Sequence, residues 1–127
     1  MIGFVITHVP TKSDLVYVTG DTCWYEGVEE VSRRYRPESV VLFGGAAQTR
    51  GPFHLTMDTN DALETAAHFP HARIVPLHHE GWQHFTQSAA DLRRSFAAVG
   101  RDLQLLDLPP GQEVELLPWR TVGGFVP

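Results

Sequence analysis

The sequence contains a single cysteine, Cys23, so an internal disulfide and a cysteine-based zinc site are both excluded within its 127 residues. Basic residues are scarce too, since 10 Lys and Arg stand against 15 Asp and Glu and give a formal net charge of -5. Proteins that neutralise nucleic-acid phosphates normally show the opposite balance, so we expect no nucleic-acid partner. No apolar run approaches the ~20 residues of a membrane-spanning helix. Because the first residues also lack the basic flank of a signal peptide, we expect a cytoplasmic protein without a membrane span.

Common catalytic signatures are absent as well. The sequence has no Gly-x-Ser-x-Gly elbow, no glycine-rich phosphate loop and no His-x-His pair. Hydrophobic residues nevertheless make up 43% of the chain, which suits one folded domain. Histidine is the residue type that stands out, because six of the seven histidines lie between His54 and His84.

The hydrophobic pattern predicts an α/β fold, with a mixed sheet covered by helices on at least one face. Short apolar runs predict strands at 2–7, 15–19, 39–43, 73–77, 103–106 and 114–117, with a turn at 11–14. Three amphipathic helices are predicted between these strands. The first ends before Pro37, with Val28, Val31 and Tyr35 facing inward. The second is capped by Asp58 or Thr59, and its inward residues are Ala62, Leu63, Ala66 and Ala67. The third begins with a capping box of Ser88 and Asp91, and its inward residues are Leu92, Phe96 and Val99.

Two candidate metal ligands directly follow predicted strands. Asp21 comes after an apolar run and Gly20, and His78 ends the apolar run at 73–77. In α/β folds, functional groups collect at the carboxyl ends of strands, and carboxylates and imidazoles are common zinc ligands. Each residue also has a simpler interpretation: Asp21 as a turn aspartate that bonds its own backbone, and His78 as a hydrogen-bonded histidine at a strand end.

The other polar and aromatic candidates have weaker signals. His54, His79, Trp82 and His84 are candidates for supporting the metal ligands or contacting a substrate. His68 and His71 flank a predicted helix end, where a favourable last-turn charge or simple exposure to water explains them. For Cys23, a reactive thiol and an inert, packed side chain are the alternatives.

Several sequence blocks resemble the metallo-β-lactamase superfamily, in particular its branch similar to ascorbate-phosphate lactonases and N-acyl-phosphatidylethanolamine phospholipases. These blocks are GFVI at 3–6, VYVTGDT at 16–22, VVLFGGAA at 40–47, HLTMD at 54–58 and VPLHHEGW at 75–82. They extend over nearly the whole chain and correspond to the carboxyl-terminal half of the family's αββα sandwich. The family's His-x-His-x-Asp-His motif belongs to the amino-terminal half and has no counterpart here.

The resemblance implies a metal-dependent hydrolase with a two-zinc site and a lactone, ester or phosphodiester as its small-molecule substrate. It also implies that Asp21 bridges two metal ions and that His78 ligates the second. We then expect their side-chain tips to lie ~3–6 Å apart when a metal is bound. No metal role is implied for His79, which occupies a variable position of the motif.

Two ligands are fewer than the three or so protein ligands that a catalytic zinc needs. We therefore expect residues 1–127 to form a partial domain that is inactive alone and is completed by an amino-terminal half or by a second copy in a homodimer. Two alternatives lie outside catalysis. One is a non-catalytic truncated protein that folds by dimerisation, and the other is a small-ligand module built on Gly44-Gly45, Trp24 and Trp82.

Overall fold

The computed structural model describes residues 3–48, 55–77, 87–106, 108 and 111–116. Within these ranges the elements are β1 (Phe4–His8), β2 (Ser13–Val18), α1 (Glu26–Arg34), β3 (Ser39–Phe43), α2 (Thr59–His68), β4 (Arg73–Leu77), α3 (Ala89–Ala98) and a short 3-10 helix at Asp102–Gln104. The bounds of β3 and β4 are those predicted from their apolar runs, and the α/β prediction is confirmed. In the described part of the chain, no helix is both long and apolar enough to cross a membrane.

The four strands form one mixed sheet in the order β1-β2-β3-β4. β1 and β2 form an antiparallel hairpin, whereas β2, β3 and β4 run parallel. The hairpin turn lies at Val9–Lys12 and not at 11–14, because Lys12 takes a φ of 56° and its N–H donates to the Val9 carbonyl. Parallel neighbours need a crossover, which α1 and α2 provide. The carboxyl ends of β2, β3 and β4 therefore lie at one edge of the sheet.

Local signals place the starts of α2 and α3. Asp58 and Ser88 each accept a hydrogen bond from the backbone N–H three residues later, and the carboxylates of Asp61 and Asp91 bond back to the cap N–H. These reciprocal bonds satisfy donors that have no partner inside the helix. Of the two caps predicted for α2, the structure selects Asp58.

All three helices pack on the same face of the sheet. The buried core joins strand residues Tyr17, Val40, Leu42 and Ile74 to residues from every helix, and Val5 packs against it. Cross-strand pairing puts Val5, Tyr17, Val40 and Ile74 in one row. The helix residues of this core are Val28 of α1, Ala62 and Ala66 of α2, and Leu92 and Phe96 of α3.

The opposite face of the sheet is also apolar, and we name it the open face. In the described part of the chain, no helix contributes a core residue to it. Phe4 is 55% exposed and Ile6 is 47% exposed, whereas Val75 is buried and the others are half-buried. Side chains alternate across a strand, so pairing gives the open face eight apolar residues, which are Phe4, Ile6, Val16, Val18, Val41, Phe43, Val75 and Leu77. At its amino-terminal end the same pairing adds the buried Ser39 and the half-buried Arg73.

The two strands predicted near the carboxyl end are wrong in the described part. In place of a strand at 103–106, residues Asp102–Gln104 form a 3-10 turn, and Leu105 makes one isolated bridge to Ile74. The reason is the buried Gln104, whose amide nitrogen donates to the carbonyls of Ala66, Phe69 and Ala72 at 3.0–3.1 Å. Residues 114–116 are exposed without strand pairing, since the predicted hairpin partner does not form a strand, and residue 117 lies outside the described ranges.

Two predicted inward residues lie just beyond their helices. Tyr35 follows α1 with extended backbone angles and is 38% exposed. Val99 follows α3 and is 55% exposed. The 3.6-residue period that predicted their burial no longer holds once the helix has ended. In α2, Ala62 and Ala66 are buried as predicted, whereas Leu63 is half-buried and Ala67 is exposed.

Candidate functional site

The candidate site lies where β2, β3 and β4 end together. The Thr19 N–H donates to the Val41 carbonyl at 3.0 Å, and the Gly44 N–H donates to the Leu77 carbonyl at 2.9 Å. The first bond joins the residue after β2 to β3, and the second joins the residue after β3 to the last residue of β4. The edge is therefore a fixed platform, and the loops that follow β2 and β3 start from defined positions.

Asp21 follows this platform after a sharp change of backbone direction. Gly20 adopts a φ of 71°, a left-handed conformation that favours glycine. Asp21 is half-buried and makes polar interactions there. Pairing puts Val18, Val41 and Val75 at one level of the sheet, and Asp21 is the third residue after Val18. The residue third after Val75 in the sequence is His78.

The loop after β3 folds back against residues 55–57. Gly45 and Ala46 both have positive φ, at 86° and 48°. The buried Thr56 holds this loop, because its hydroxyl donates to the Gly44 carbonyl at 2.7 Å and accepts from the Ala47 N–H at 2.9 Å. The sequence pattern indicates Gly44-Gly45 but gives no signal for Thr56, whose partners lie 9 and 12 residues away in the sequence.

We expect Thr56→Val to destabilise the fold by roughly 2–4 kcal/mol, because a nearly isosteric side chain leaves two buried backbone groups without partners. Urea unfolding followed by circular dichroism measures the change. Thr11→Val is the matched control, since Thr11 is exposed and its loss should cost less than ~0.5 kcal/mol. Equal stabilities of the two variants would show that the Thr56 hydroxyl does not stabilise this loop.

Cys23 fits the inert, packed alternative. Its Sγ lies 3.9 Å from the Thr56 carbonyl oxygen, to which the thiol donates. Burial raises the pKa of the Cys23 thiol, and the carboxylates of Asp61 and Asp58 raise that pKa further. An activated thiol requires the opposite shift, so nothing here favours a cysteine nucleophile.

Trp24 packs against the helix side of the sheet. Its ring lies 4.5 Å from the His68 ring, centroid to centroid, and it contacts the hydrophobic core. His68 is in the last turn of α2, as predicted, with its Nδ1 3.0 Å from the Glu64 carbonyl oxygen. Trp24 therefore packs against the core, and the small-ligand module built on Trp24, Trp82 and Gly44-Gly45 stays an alternative, since Trp82 lies outside the described residues.

A cavity of about 640 Å³, for which the sequence has no signal, lies between the hairpin and α1. All three tyrosines of the chain line it, and none of its described lining residues is charged. Gly27 leaves room for one of these rings, since a Cβ at position 27 would lie 2.3 Å from the Tyr25 ring. Burial raises the pKa of Tyr17 to about 12, so its hydroxyl stays neutral. The tyrosines are Tyr17, Tyr25 and Tyr35, too scattered along the sequence to form a motif.

No family model matches the chain. The UPF0173 protein YddR of Bacillus subtilis is 35% identical over 91 residues, which cover 72% of this chain and 35% of YddR. A UPF0173 metal-dependent hydrolase of Methanosphaerula palustris is 26% identical over 102 residues, which cover 80% of this chain and 43% of that protein.

This chain is homologous to part of the UPF0173 proteins. Among solved structures, the isothiocyanate hydrolase from Delia radicum gut bacteria superposes with a TM-score of 0.77 at 31% identity. The match covers 87% of this chain and 41% of that hydrolase. The resemblance to metallo-hydrolases and the predicted fold class are therefore confirmed. The chain spans less than half the length of each of these relatives, which fits the predicted correspondence to one half of the sandwich.

The described residues do not hold a metal ion by themselves. Within residues 3–48, 55–77, 87–106, 108 and 111–116, no group of three or more His, Cys, Asp or Glu side chains is placed to bind one. Asp21 is the predicted ligand that the structure describes. The other predicted site residues, His54, His78, His79, Trp82 and His84, lie outside the described residues.

Proposed function

We propose that this chain contributes Asp21 and His78 to the zinc site of a metal-dependent hydrolase whose remaining ligands come from a further polypeptide segment. The observation that carries the proposal is the common edge at which β2, β3 and β4 end. Asp21 follows β2 at this edge, and in the sequence His78 follows Leu77, the last residue of β4. The relatives named as metal-dependent hydrolases support the same chemistry.

The strand register supports a shared site for the two side chains. Val18 of β2 and Val75 of β4 both pair with Val41 of β3, on either side of it. Asp21 is the third residue after Val18, and His78 is the third residue after Val75. Strands two positions apart in a sheet are separated by roughly 10 Å, a gap that a carboxylate and an imidazole facing each other can span around a metal ion. His54, His79, Trp82 and His84 are proposed to support these ligands or to contact the substrate.

The proposed substrate is a small molecule with an electrophilic centre: a lactone, an ester or a phosphodiester, or an isothiocyanate as in the name of one relative. When bound, zinc would supply positive charge that stabilises the developing negative charge of such a hydrolysis. Asp21 would hold the cation from a rigid turn, since Gly20 and the Thr19–Val41 hydrogen bond fix the backbone before it.

The open face supports an incomplete site. An apolar sheet face normally packs against another layer of structure, because contact between apolar side chains and water is unfavourable. We propose that a second copy of this chain, or an amino-terminal half, covers it and completes the ligand set. Two copies would together bring two Asp21 and two His78 side chains, four potential ligands in total.

The alternative function is a non-catalytic protein that dimerises through the open face. The exposed Phe4 and Ile6 of that face support it, because a second copy would cover them without any metal ion. In this alternative, Asp21 is a turn residue and His78 a structural histidine. The two functions differ in one measurable property, which is metal bound to the assembled protein.

We expect zinc to copurify with the assembled form and not with the monomer. The test is elemental analysis of fractions from size-exclusion chromatography, prepared without chelators, together with hydrolysis assays on lactone and phosphodiester substrates. Metal and turnover confined to the larger species would support the proposal. An assembled form without metal would favour the non-catalytic alternative, and robust turnover by the monomer would contradict the need for further ligands.

A further inference from the structure

The cavity of about 640 Å³ between the hairpin and α1 is separate from the proposed metal ligands, since none of its described lining residues is one of them. It lies on the helix side of the sheet, because Val5 and Tyr17 belong to the row of residues that faces the helices. β1 is the edge strand of the described sheet, and its inner face is covered only in part: Val5 is half-buried and Thr7 is exposed. The cavity is therefore the space between this edge strand and α1.

Tyr17 is a buried lining residue with a fixed ring and an accessible hydroxyl. Only 4% of its surface is exposed, and its ring lies 5.6 Å from the Phe69 ring, centroid to centroid. Its hydroxyl makes no hydrogen bond to the described residues. The oxygen is not enclosed either, since the fully buried polar atoms without a partner belong to other residues. The core thus holds the ring, and the hydroxyl meets the cavity with its hydrogen-bonding capacity unused.

The threonine hydroxyls around the cavity already have partners. Those of Thr7, Thr19 and Thr22 each donate to a protein oxygen at 3.0–3.1 Å. Tyr17 differs from them, and its hydroxyl stays neutral, because burial raises its pKa to about 12. A ligand oxygen next to this hydroxyl can accept its hydrogen bond without displacing a bond within the protein.

The composition of the lining favours an uncharged aromatic ligand. Tyr25 and Tyr35 add two more rings to the cavity. Aromatic rings that meet in offset or edge-to-face contact attract each other beyond the effect of the buried area. None of the described lining residues is charged, so a charged ligand would lose hydration there without gaining an opposite charge.

We propose that this cavity binds an uncharged aromatic molecule with a hydroxyl or carbonyl oxygen, and that this oxygen accepts a hydrogen bond from Tyr17. The volume of about 640 Å³ lies within the range of small-molecule sites and accommodates two fused rings. This site is independent of the proposed hydrolase function, because it uses neither a metal ion nor a proposed metal ligand. The ligand contacts both the hairpin and α1, and it is bound without being chemically changed.

The test is a titration of the full chain with 2-naphthol, a neutral compound of two fused aromatic rings and one hydroxyl. Chemical-shift changes in ¹⁵N-labelled protein locate the site, and calorimetry gives the Kd. We expect a Kd on the order of 0.1 mM, with shift changes centred on residues 17, 25 and 27. Shift changes centred elsewhere, or no binding at about 1 mM 2-naphthol, would overturn the proposal.

Two related compounds test the chemical class of the ligand. Decahydro-2-naphthol keeps the hydroxyl and the two-ring skeleton but has no aromatic ring, whereas 2-naphthoate keeps the aromatic rings but carries a negative charge. We expect each compound to bind at least about fivefold more weakly than 2-naphthol. If either compound binds as tightly as 2-naphthol, the cavity does not select an uncharged aromatic molecule.

Matched variants test the role of the Tyr17 hydroxyl. We expect Tyr17→Phe to weaken 2-naphthol binding about fivefold, since it removes one neutral hydrogen bond to the ligand. The same variant should keep its stability, because the hydroxyl has no described protein partner to lose. Tyr35→Phe is the control, because it removes a hydroxyl from the same cavity at a residue that is 38% exposed. Equal binding by the two variants would show that Tyr17 does not bond the ligand.

Discussion

Replacing Asp21 by asparagine is expected to remove zinc from the assembled protein and to lower its hydrolytic turnover at least about 100-fold. Residues that merely support a metal ligand cost 10–100-fold in affinity or activity when replaced, so loss of a ligand should cost more. Asparagine keeps the size of the side chain and retains the ability to form a turn through its own carbonyl oxygen. The substitution therefore removes the negative charge and little else.

The same experiment separates the two interpretations of Asp21. A turn aspartate is replaced by asparagine with little effect on stability, metal content or activity. Asp102→Asn is the matched control, because Asp102 is exposed and lies in the 3-10 turn beyond α3. Zinc content is measured by elemental analysis and folding by circular dichroism. A folded Asp21→Asn protein with its full zinc content would show that Asp21 is not a ligand.

The elements that position the site could be predicted because each has a local signal. β3 and β4 are continuous apolar runs, which are typical of strands covered on both faces. Asp58 and Ser88 are capping residues followed three positions later by a carboxylate. Strands that alternate with such helices predict a parallel arrangement, and this arrangement brings the strand ends to one edge.

The features that escaped prediction depend on contacts between distant residues. Thr56 and Gln104 are polar residues with no periodic pattern, and their buried partners lie 9–38 residues away. A 3-10 turn forms where a strand was predicted, because the side-chain amide of Gln104 donates hydrogen bonds to three carbonyls near the end of α2. Helix and strand propensities do not predict such bonds, because they describe only residues that are neighbours in the sequence.

The candidate site itself was predicted from two different kinds of information. The position of Asp21 at the sheet edge follows from strand alternation and from Gly20, and the structure confirms that position. Its proposed role as a metal ligand depends on the family resemblance, because a lone carboxylate after a strand is equally consistent with a turn.

Placing a lysine at the centre of the open face is expected to abolish dimerisation. Val41 is half-buried on β3 and is flanked there by its paired neighbours Val18 and Val75. In a two-fold dimer each substitution occurs twice, so two charges are buried or the contact is lost. We expect the dimer Kd to rise at least about 100-fold for Val41→Lys, since each unpaired buried charge costs several kcal/mol.

Light scattering at micromolar concentration measures the outcome. We expect wild-type protein at about twice the monomer mass of 14.2 kDa and the Val41→Lys variant at the monomer mass. Val99→Lys is the matched control, because it adds the same charge at an exposed position after α3 and should remain dimeric. Phe4→Lys, at the more exposed edge of the open face, tests the same surface with less disturbance of the fold. If Val41→Lys unfolds, loss of the dimer in a folded Phe4→Lys protein still supports the interface. A wild-type protein that stays at 14.2 kDa would show that a second copy does not cover the open face. An amino-terminal half would then be the remaining candidate for completing the metal site.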